Sequence, residues 1–199
     1  MHKIIRGKCV VIGDCPYGVT EKFSGPSASG KSSVVQTFVS EGKEFPSDYC
    51  MSTSAELVVK NMIIPEINDT VEIYIYTLPG KDVFSNLINK YVDHINMLMV
   101  VFDVTKKESF SSAQSALTKF HPDTHCHSRP IVLVGNKIDL EARRVVLREE
   151  AEKFADSVGI SYFETSAKDA LGVEAPFLHL VKEYHNLYIK KIETFRTLV

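Results

Sequence analysis

This chain has no long apolar run: nothing in it approaches the roughly 18 residues needed to span a bilayer. It also lacks a strong charge of one sign. Against 25 acidic residues stand 23 basic ones, and the net charge of −2 gives no electrostatic footing for nucleic acid or an anionic membrane surface. The four cysteines, Cys9, Cys15, Cys50 and Cys126, show no C-x-x-C spacing, which fits free thiols in a reducing compartment. There is no internal repeat and no low-complexity segment. The opening residues, Met1-His2-Lys3-Ile4-Ile5-Arg6, read as the approach to a strand and not as a secretion signal. A composition of 44% apolar and 24% charged residues over 199 positions is that of about one globular domain with a sizeable core.

Short apolar runs alternate with longer amphipathic stretches, the pattern of βαβ units around a mainly parallel sheet. Strands are expected at Lys8–Ile12, Glu56–Ile64, Val71–Tyr76, Met97–Asp103, Ile131–Gly135 and Ser161–Glu164. Helices are expected at Lys31–Ser40, Ser109–Phe120, about Leu147–Val158, and a long one from about Glu174 to Phe195.

Two strings carry the chemistry. Gly25-Pro26-Ser27-Ala28-Ser29-Gly30-Lys31-Ser32, followed by Ser33, fits the phosphate-loop pattern G-x-x-x-x-G-K-S/T. Its glycines let backbone N–H groups turn inward on a polyphosphate, Lys31 adds a point charge, and the Ser32 hydroxyl can reach a magnesium ion. The second string, Asn136-Lys137-Ile138-Asp139, has Thr165-Ser166-Ala167-Lys168 behind it. It follows the apolar run Ile131–Gly135, so its polar tip falls at a strand's carboxyl end, where ligands of open α/β sheets bind. A carboxylate there can accept two hydrogen bonds from a purine bearing an N1–H and a 2-amino group, which describes guanine and not adenine. A phosphate loop alone means only a nucleoside triphosphate; the two strings in this order mean a guanine nucleotide.

On these residues the chain resembles the Ras-like small GTPases, the Rab branch in particular, from Lys8 to about Lys190. The resemblance implies the P-loop NTPase G-domain fold, α/β with a doubly wound, mostly parallel six-stranded sheet, over residues 1–199. It implies GTP or GDP and Mg2+ as cofactors. Asn136 would tie its loop to the phosphate loop, the Lys137 stem would cover the purine, and Asp139 would read the base edge. Ser166, Ala167 and Lys168 would close the pocket, with the Ala167 N–H on the base carbonyl. Ser52, with Thr53 one step off, stands where a hydroxyl completes the magnesium shell beside Ser32. In Tyr76-Thr77-Leu78-Pro79-Gly80-Lys81-Asp82, Gly80 keeps the position whose N–H meets the γ-phosphate.

The chain departs from that pattern in three places. Thr77 replaces an aspartate that holds magnesium through water, and Lys81 replaces the glutamine that orients the attacking water. Lysine is donor-only at neutral pH and cannot accept the proton of that water, so hydrolysis is expected to be slow or absent and no catalytic residue is assigned. The third departure is Gly13–Ser24, set between the first strand and Gly25 where family members run almost straight through. It is either a looped-out insertion or an error of gene prediction such as a retained short intron, and it is expected to lie outside the core. An earlier register, Gly13 to Thr20, has the right spacing but puts Val19 in the lysine's place, so the site is assigned to Gly25–Ser32.

Two other features have plainer readings. His121, His125, Cys126 and His127 do not converge easily on one ion, no second cluster completes a tetrahedron, and the stretch reads as a solvated loop. The stripe Phe177, Leu180, Val181, Tyr184, Leu187, Tyr188, Ile192 and Phe195 has helical spacing; its first half reads as core and its second half as a partner surface.

Leu57-Val58-Val59-Lys60 and the C-terminal strings Glu174-Ala175-Pro176-Phe177, His185-Asn186-Leu187-Tyr188 and Phe195-Arg196-Thr197-Leu198 resemble the Rab-like GTPases of intraflagellar transport complex B. That resemblance implies a place in cilium or flagellum assembly and cargo transport, in the cytoplasm and the cilium. It implies a heterodimer with a small β-sandwich subunit and contact with complex B coiled-coil subunits. Arg196-Thr197-Leu198-Val199 holds no cysteine, so prenylation, the usual Rab anchor, is not expected, and a partner is expected to localise the protein. Three alternatives stay open: another non-prenylated Rab-like trafficking GTPase, a Rab-fold scaffold that binds no nucleotide, and a P-loop phosphotransferase acting on a small substrate.

Overall fold

The computed structural model describes residues 4–13, 28–45, 55–65, 67–78, 95–120 and 129–197. Its strands are β1 (Ile4–Ile12), β2 (Glu56–Ile63), β3 (Thr70–Thr77), β4 (Met97–Asp103), β5 (Ile131–Asn136) and β6 (Ser161–Thr165). Its helices are α1 (Lys31–Val39), α2 (Lys107–Phe120), α3 (Arg148–Val158) and α4 (Glu174–Thr197), with a short 3-10 turn at Ile138–Arg143. The strands form one six-stranded sheet in the order β2-β3-β1-β4-β5-β6. Only β2 runs antiparallel, against β3; the pairs β3-β1, β1-β4, β4-β5 and β5-β6 are parallel. This is the expected α/β, doubly wound architecture.

Burial follows from position in that order. Every residue of β4, Met-Leu-Met-Val-Val-Phe-Asp, is buried, as a central parallel strand covered on both faces requires. One face carries Val10, Ile12, Phe102 and Leu133 under Phe110 and Leu117 of α2 and Ala151 and Ala155 of α3. The other carries Val11, Ile75, Met99 and Val134 under α1 and α4, where the rings of Phe38 and Phe177 stack at 3.9 Å between centroids. Cys9, buried on this second face, is a free thiol, and burial pushes its pKa up to about 12. Cys15, Cys50 and Cys126 lie outside the described residues.

The expected elements are present, with shifted ends. β1 begins at Ile4 and not Lys8, because Ile4–Val11 pair along the whole length of β3 and the ladder, not the apolar pattern, sets the strand's end. α2 starts at Lys107, two polar residues before the apolar period. The 3-10 turn has no buried residue and hence no period to reveal it. Buried positions in α4 stop at His185; beyond it Tyr188 is 37% exposed and Phe195 69% exposed, so the second half of the stripe does face away from the sheet. Among the described residues no helix is long and apolar enough to cross a membrane.

His185 itself anchors α4. Its Nε2 lies 2.9 Å from Asp69 Oδ2, just ahead of β3, and both residues are buried. Removing the His185 side chain takes a buried partner from Asp69 and leaves a cavity under α4, which costs far more than an exposed ion pair contributes. His185→Ala should therefore lower the unfolding free energy by about 3 kcal/mol in urea denaturation; a loss below about 0.5 kcal/mol would show that the pair does not anchor the helix.

Candidate functional site

Five parallel strands end on one edge of the sheet, and the register lines up the last residues of three of them. Asp103 of β4 sits beside Asn136 of β5, and Asn136 beside Thr165 of β6. Three polar side chains thus close a row of apolar ones, each of them buried. β1 reaches the same edge and is followed by Gly13.

Asn136 is the connecting piece. Its Nδ2 donates to the Ser29 carbonyl at 3.0 Å, while its Oδ1 accepts from Thr165 Oγ1 and from the Ala167 N–H, each at 3.2 Å. One buried side chain therefore joins the residues before α1 to the loop after β6. A second link runs from the other end of α1: Thr37 Oγ1 donates to the Ala167 carbonyl at 3.0 Å.

On the phosphate side, Gly30 has φ +85°, and a Cβ there would overlap the Asn136 amide nitrogen, so only glycine fits. Gly30 brings no capping side chain to α1, and the first turn holds no acidic residue. A helix start of this kind suits an anion, which the aligned N–H groups and the dipole attract. Lys31 is 7% exposed, while Ala28, Ser32 and Ser33 are half-buried around it. The Ser29 hydroxyl is fully buried and has no hydrogen-bond partner among the described residues. An orphaned buried hydroxyl beside a helix start and a lysine suits a polyanion. Gly25 and Ser27, with Gly80, Lys81 and Ser52, lie outside the described residues.

On the base side, Lys137 takes a left-handed backbone (φ 71°) and places Nζ 2.6 Å from Asp103 Oδ2. Asp103 Oδ1 also accepts from the Thr105 N–H at 2.9 Å and hydroxyl at 2.6 Å, so the carboxylate is well compensated for its burial. Asp139 Oδ1 accepts from Ser166 Oγ at 2.8 Å, and Ser166 Oγ accepts in turn from the Asp169 N–H at 3.0 Å. The turn carrying Asp139 is braced from behind by Arg144, which reaches Glu141 and Glu164 at 2.8 Å each. Tyr162 donates to the same Glu164 at 3.0 Å; burial, then the Glu164 charge, pushes its hydroxyl pKa up. Lys168 is exposed at the rim.

The structure thus brings together Ser29, Gly30, Lys31, Asn136, Lys137, Asp139, Ser166 and Ala167. The Ala167 N–H expected on a base carbonyl is occupied by Asn136 Oδ1. For magnesium, Ser32 falls among the described residues, and Thr77, 1% exposed at the end of β3, stands where the resemblance calls for an aspartate. Sequence reading missed Asp103, Thr37 and the role of Thr165. Asp103 alone left a signal, an acid closing a buried apolar strand. His121, His125, Cys126 and His127 lie outside the described residues.

Asn136→Ala would remove three buried hydrogen bonds and strand the Ser29 carbonyl and Ala167 N–H. It should lower the unfolding free energy by about 2–4 kcal/mol in urea denaturation. A change near zero would show that the two loops hold their places independently.

The Ras family matches residues 23–186. The chain is 39% identical to the intraflagellar transport protein 27 homolog of Homo sapiens over 98% of either chain. To intraflagellar transport protein 27 of Chlamydomonas reinhardtii it is 32% identical, over 86% of either chain. It is 34% identical to the Ras-related protein Rab-2B of Dictyostelium discoideum, over 85% of this chain and 80% of that one. Ras-family small GTPases generally bind GTP or GDP with Mg2+. With the family matching most of the chain and the sheet order in agreement, this chain belongs to the Ras family.

Proposed function

We propose that this chain is a guanine-nucleotide-binding, Rab-like subunit of the intraflagellar transport machinery. The observation that carries nucleotide binding is the Asn136 bridge, which holds a lysine-bearing helix start and a carboxylate-bearing loop at one sheet edge. The transport role rests on the two relatives named for that process and on their coverage of this chain.

GTP or GDP would lie with its phosphates against Gly30, Lys31 and the first turn of α1, and its base against Lys137 and Asp139. Ser166 orients Asp139 and leaves the second carboxylate oxygen for the base edge. The Ala167 N–H would be shared between Asn136 and the base carbonyl. Ser32, Ser33, Ser27 and Gly80 complete the phosphate contacts, Lys168 the rim of the base pocket, and Ser32 with Ser52 the magnesium ligands. Bound magnesium would offset phosphate charge. The protein acts in the cytoplasm and the cilium or flagellum, paired with a small β-sandwich subunit and held to complex B coiled-coil subunits. The half of α4 beyond His185, with exposed Tyr188 and Phe195, is the face offered to a partner.

Titration with fluorescently labelled GTP, GDP and ATP tests the nucleotide assignment. Guanine nucleotides should bind and ATP should bind far more weakly; Asp139→Ala should weaken GDP binding by about 100-fold, the worth of two charge-assisted hydrogen bonds. Tight ATP binding would sink the assignment, and binding of no nucleotide would leave the scaffold reading. Hydrolysis by the wild-type chain should be very slow. Lys81→Gln combined with Thr77→Asp should raise the single-turnover rate on the order of tenfold or more; a wild-type rate matching ordinary Rab proteins would refute the assigned roles of these two positions.

A further inference from the structure

The contiguous motif puts the strand-side glycine of the phosphate loop at Gly25, and the family match likewise begins at residue 23, past β1. Yet β1 is integral to the sheet. It pairs with β3 from Ile4 to Val11 and with β4 from Cys9 to Ile12, so the place of the next residue, Gly13, is fixed from both sides. That place is against the phosphate side of the site. A Cβ on Gly13 would overlap the Ser29 hydroxyl, lie 2.7 Å from the Val101 carbonyl oxygen and lie 2.9 Å from Lys31 Cδ. Two of these three neighbours belong to the segment that opens α1. The third is backbone of β4 and cannot yield.

The Ser29 hydroxyl adds a second, independent observation. It is fully buried, unpartnered among the described residues, and adjacent to Gly13. The end of β1 and the start of α1 therefore meet closely, a side-chain-free backbone on one side against an unsatisfied hydroxyl and a lysine stem on the other. Those are the surroundings a phosphate oxygen requires: close backbone approach, a donor and a positive charge.

We propose that the phosphate loop of this protein is split, its strand-side glycine being Gly13 and not Gly25, with Ala28–Ser33 completing it. Residues 15–26 contribute nothing to phosphate affinity. The proposal rests on the guanine-nucleotide reading above and specifies which residues of this chain form its phosphate half. It also accounts for the register: once residues 15–26 are set aside, Gly13-Asp14-Ser27-Ala28-Ser29-Gly30-Lys31-Ser32 reads as an unbroken phosphate loop directly after β1.

The test uses the full chain, labelled GDP, and circular dichroism and thermal melting of the nucleotide-free protein as the folding control. Gly13→Ala should weaken GDP at least 30-fold, and Gly25→Ala should change it less than twofold. Excision of Cys15–Pro26, which removes Gly25 and keeps Gly13, should bind GDP at least as tightly as the wild type and melt no lower. Loss of affinity in Gly25→Ala, or a folded excision variant that binds no GDP, would overturn the proposal whether or not Gly13→Ala folds. If the wild type binds no nucleotide but the excision variant does, the nucleotide reading and the split loop both fail for the full chain, and only the assignment of Gly13 stands. Gly13→Ala within the excision variant should then abolish binding, and unchanged binding there would overturn it. If neither chain binds, both readings fall.

Discussion

The site depends on the side chain of Asn136, which ties the residues before α1 to the end of β6 and the loop after it. β5 delivers it to the carboxyl edge of the sheet between Asp103 and Thr165, buried and with little freedom to turn. From there its amide faces the residues before α1 and its oxygen faces the loop after β6. An amide suits this place: it is neutral, so burial costs no charge desolvation, and it presents donor and acceptor in one plane. The two loops it joins are distant in sequence, 107 residues apart for the Ser29 contact and 31 for Ala167. Local propensity cannot set such a distance between a phosphate-side and a base-side element. A hydrogen-bonded bridge at the sheet edge can.

The rest of the fold fixes the two bodies that the bridge connects. α1 is held at its start through Ser29 and near its end through Thr37, both links converging on Asn136 or Ala167, while Val34, Val35 and Phe38 pin it to the sheet. α4 packs beside it through Phe177, and the His185–Asp69 pair secures α4 to the far end of the sheet. The site is thus carried on rigid elements on one face and by short turns at one edge, the arrangement that keeps convergent polar groups within narrow limits. Beyond His185 α4 has no buried residue. Its last turns contribute little to holding the sheet, which leaves them available for an interface.

Much of this was legible in sequence, for reasons that differ by element. β4 and β5 are continuous apolar runs because interior parallel strands are covered on both faces, and their bounds were read to within a residue. The link from Asn136 to the phosphate side was legible because a motif carries its partner with it. His185 and Asp69 were not: they lie 116 positions apart, and neither residue type announces a buried partner. Asp103 was read as the end of a strand, since its bond to Lys137 appears only once β4 and β5 are in register. The start of β1 was placed late because Arg6 and Lys8 break the apolar pattern on a stretch that the β3 ladder nonetheless holds. Gly13 was read into the inserted segment for a related reason. A motif scan follows chain order, whereas the sheet fixes where β1 ends in space.

Thr77 connects stability to the proposed chemistry. It ends β3, pairs in register with Val11 and Glu56, and is 1% exposed. An ionised carboxylate at so buried a point is tolerable only beside a cation or several donors, and without them its desolvation outweighs what it contributes. A fold that carries an aspartate here leans on its metal. Threonine removes that dependence: it is uncharged, and its β-branched stem suits a strand. The same substitution that takes negative charge from the surroundings of magnesium therefore relieves the nucleotide-free form of a buried charge. Binding draws on contacts to the base and phosphates that are present before any bond breaks, whereas hydrolysis draws on contacts specific to the transition state. The base side, Asn136, Lys137, Asp139 and Ser166, is internally braced, and the two departures that bear on hydrolysis fall at Thr77 and Lys81. Under the proposed reading such a chain loses speed of hydrolysis before it loses affinity, and it keeps its fold whichever nucleotide it holds.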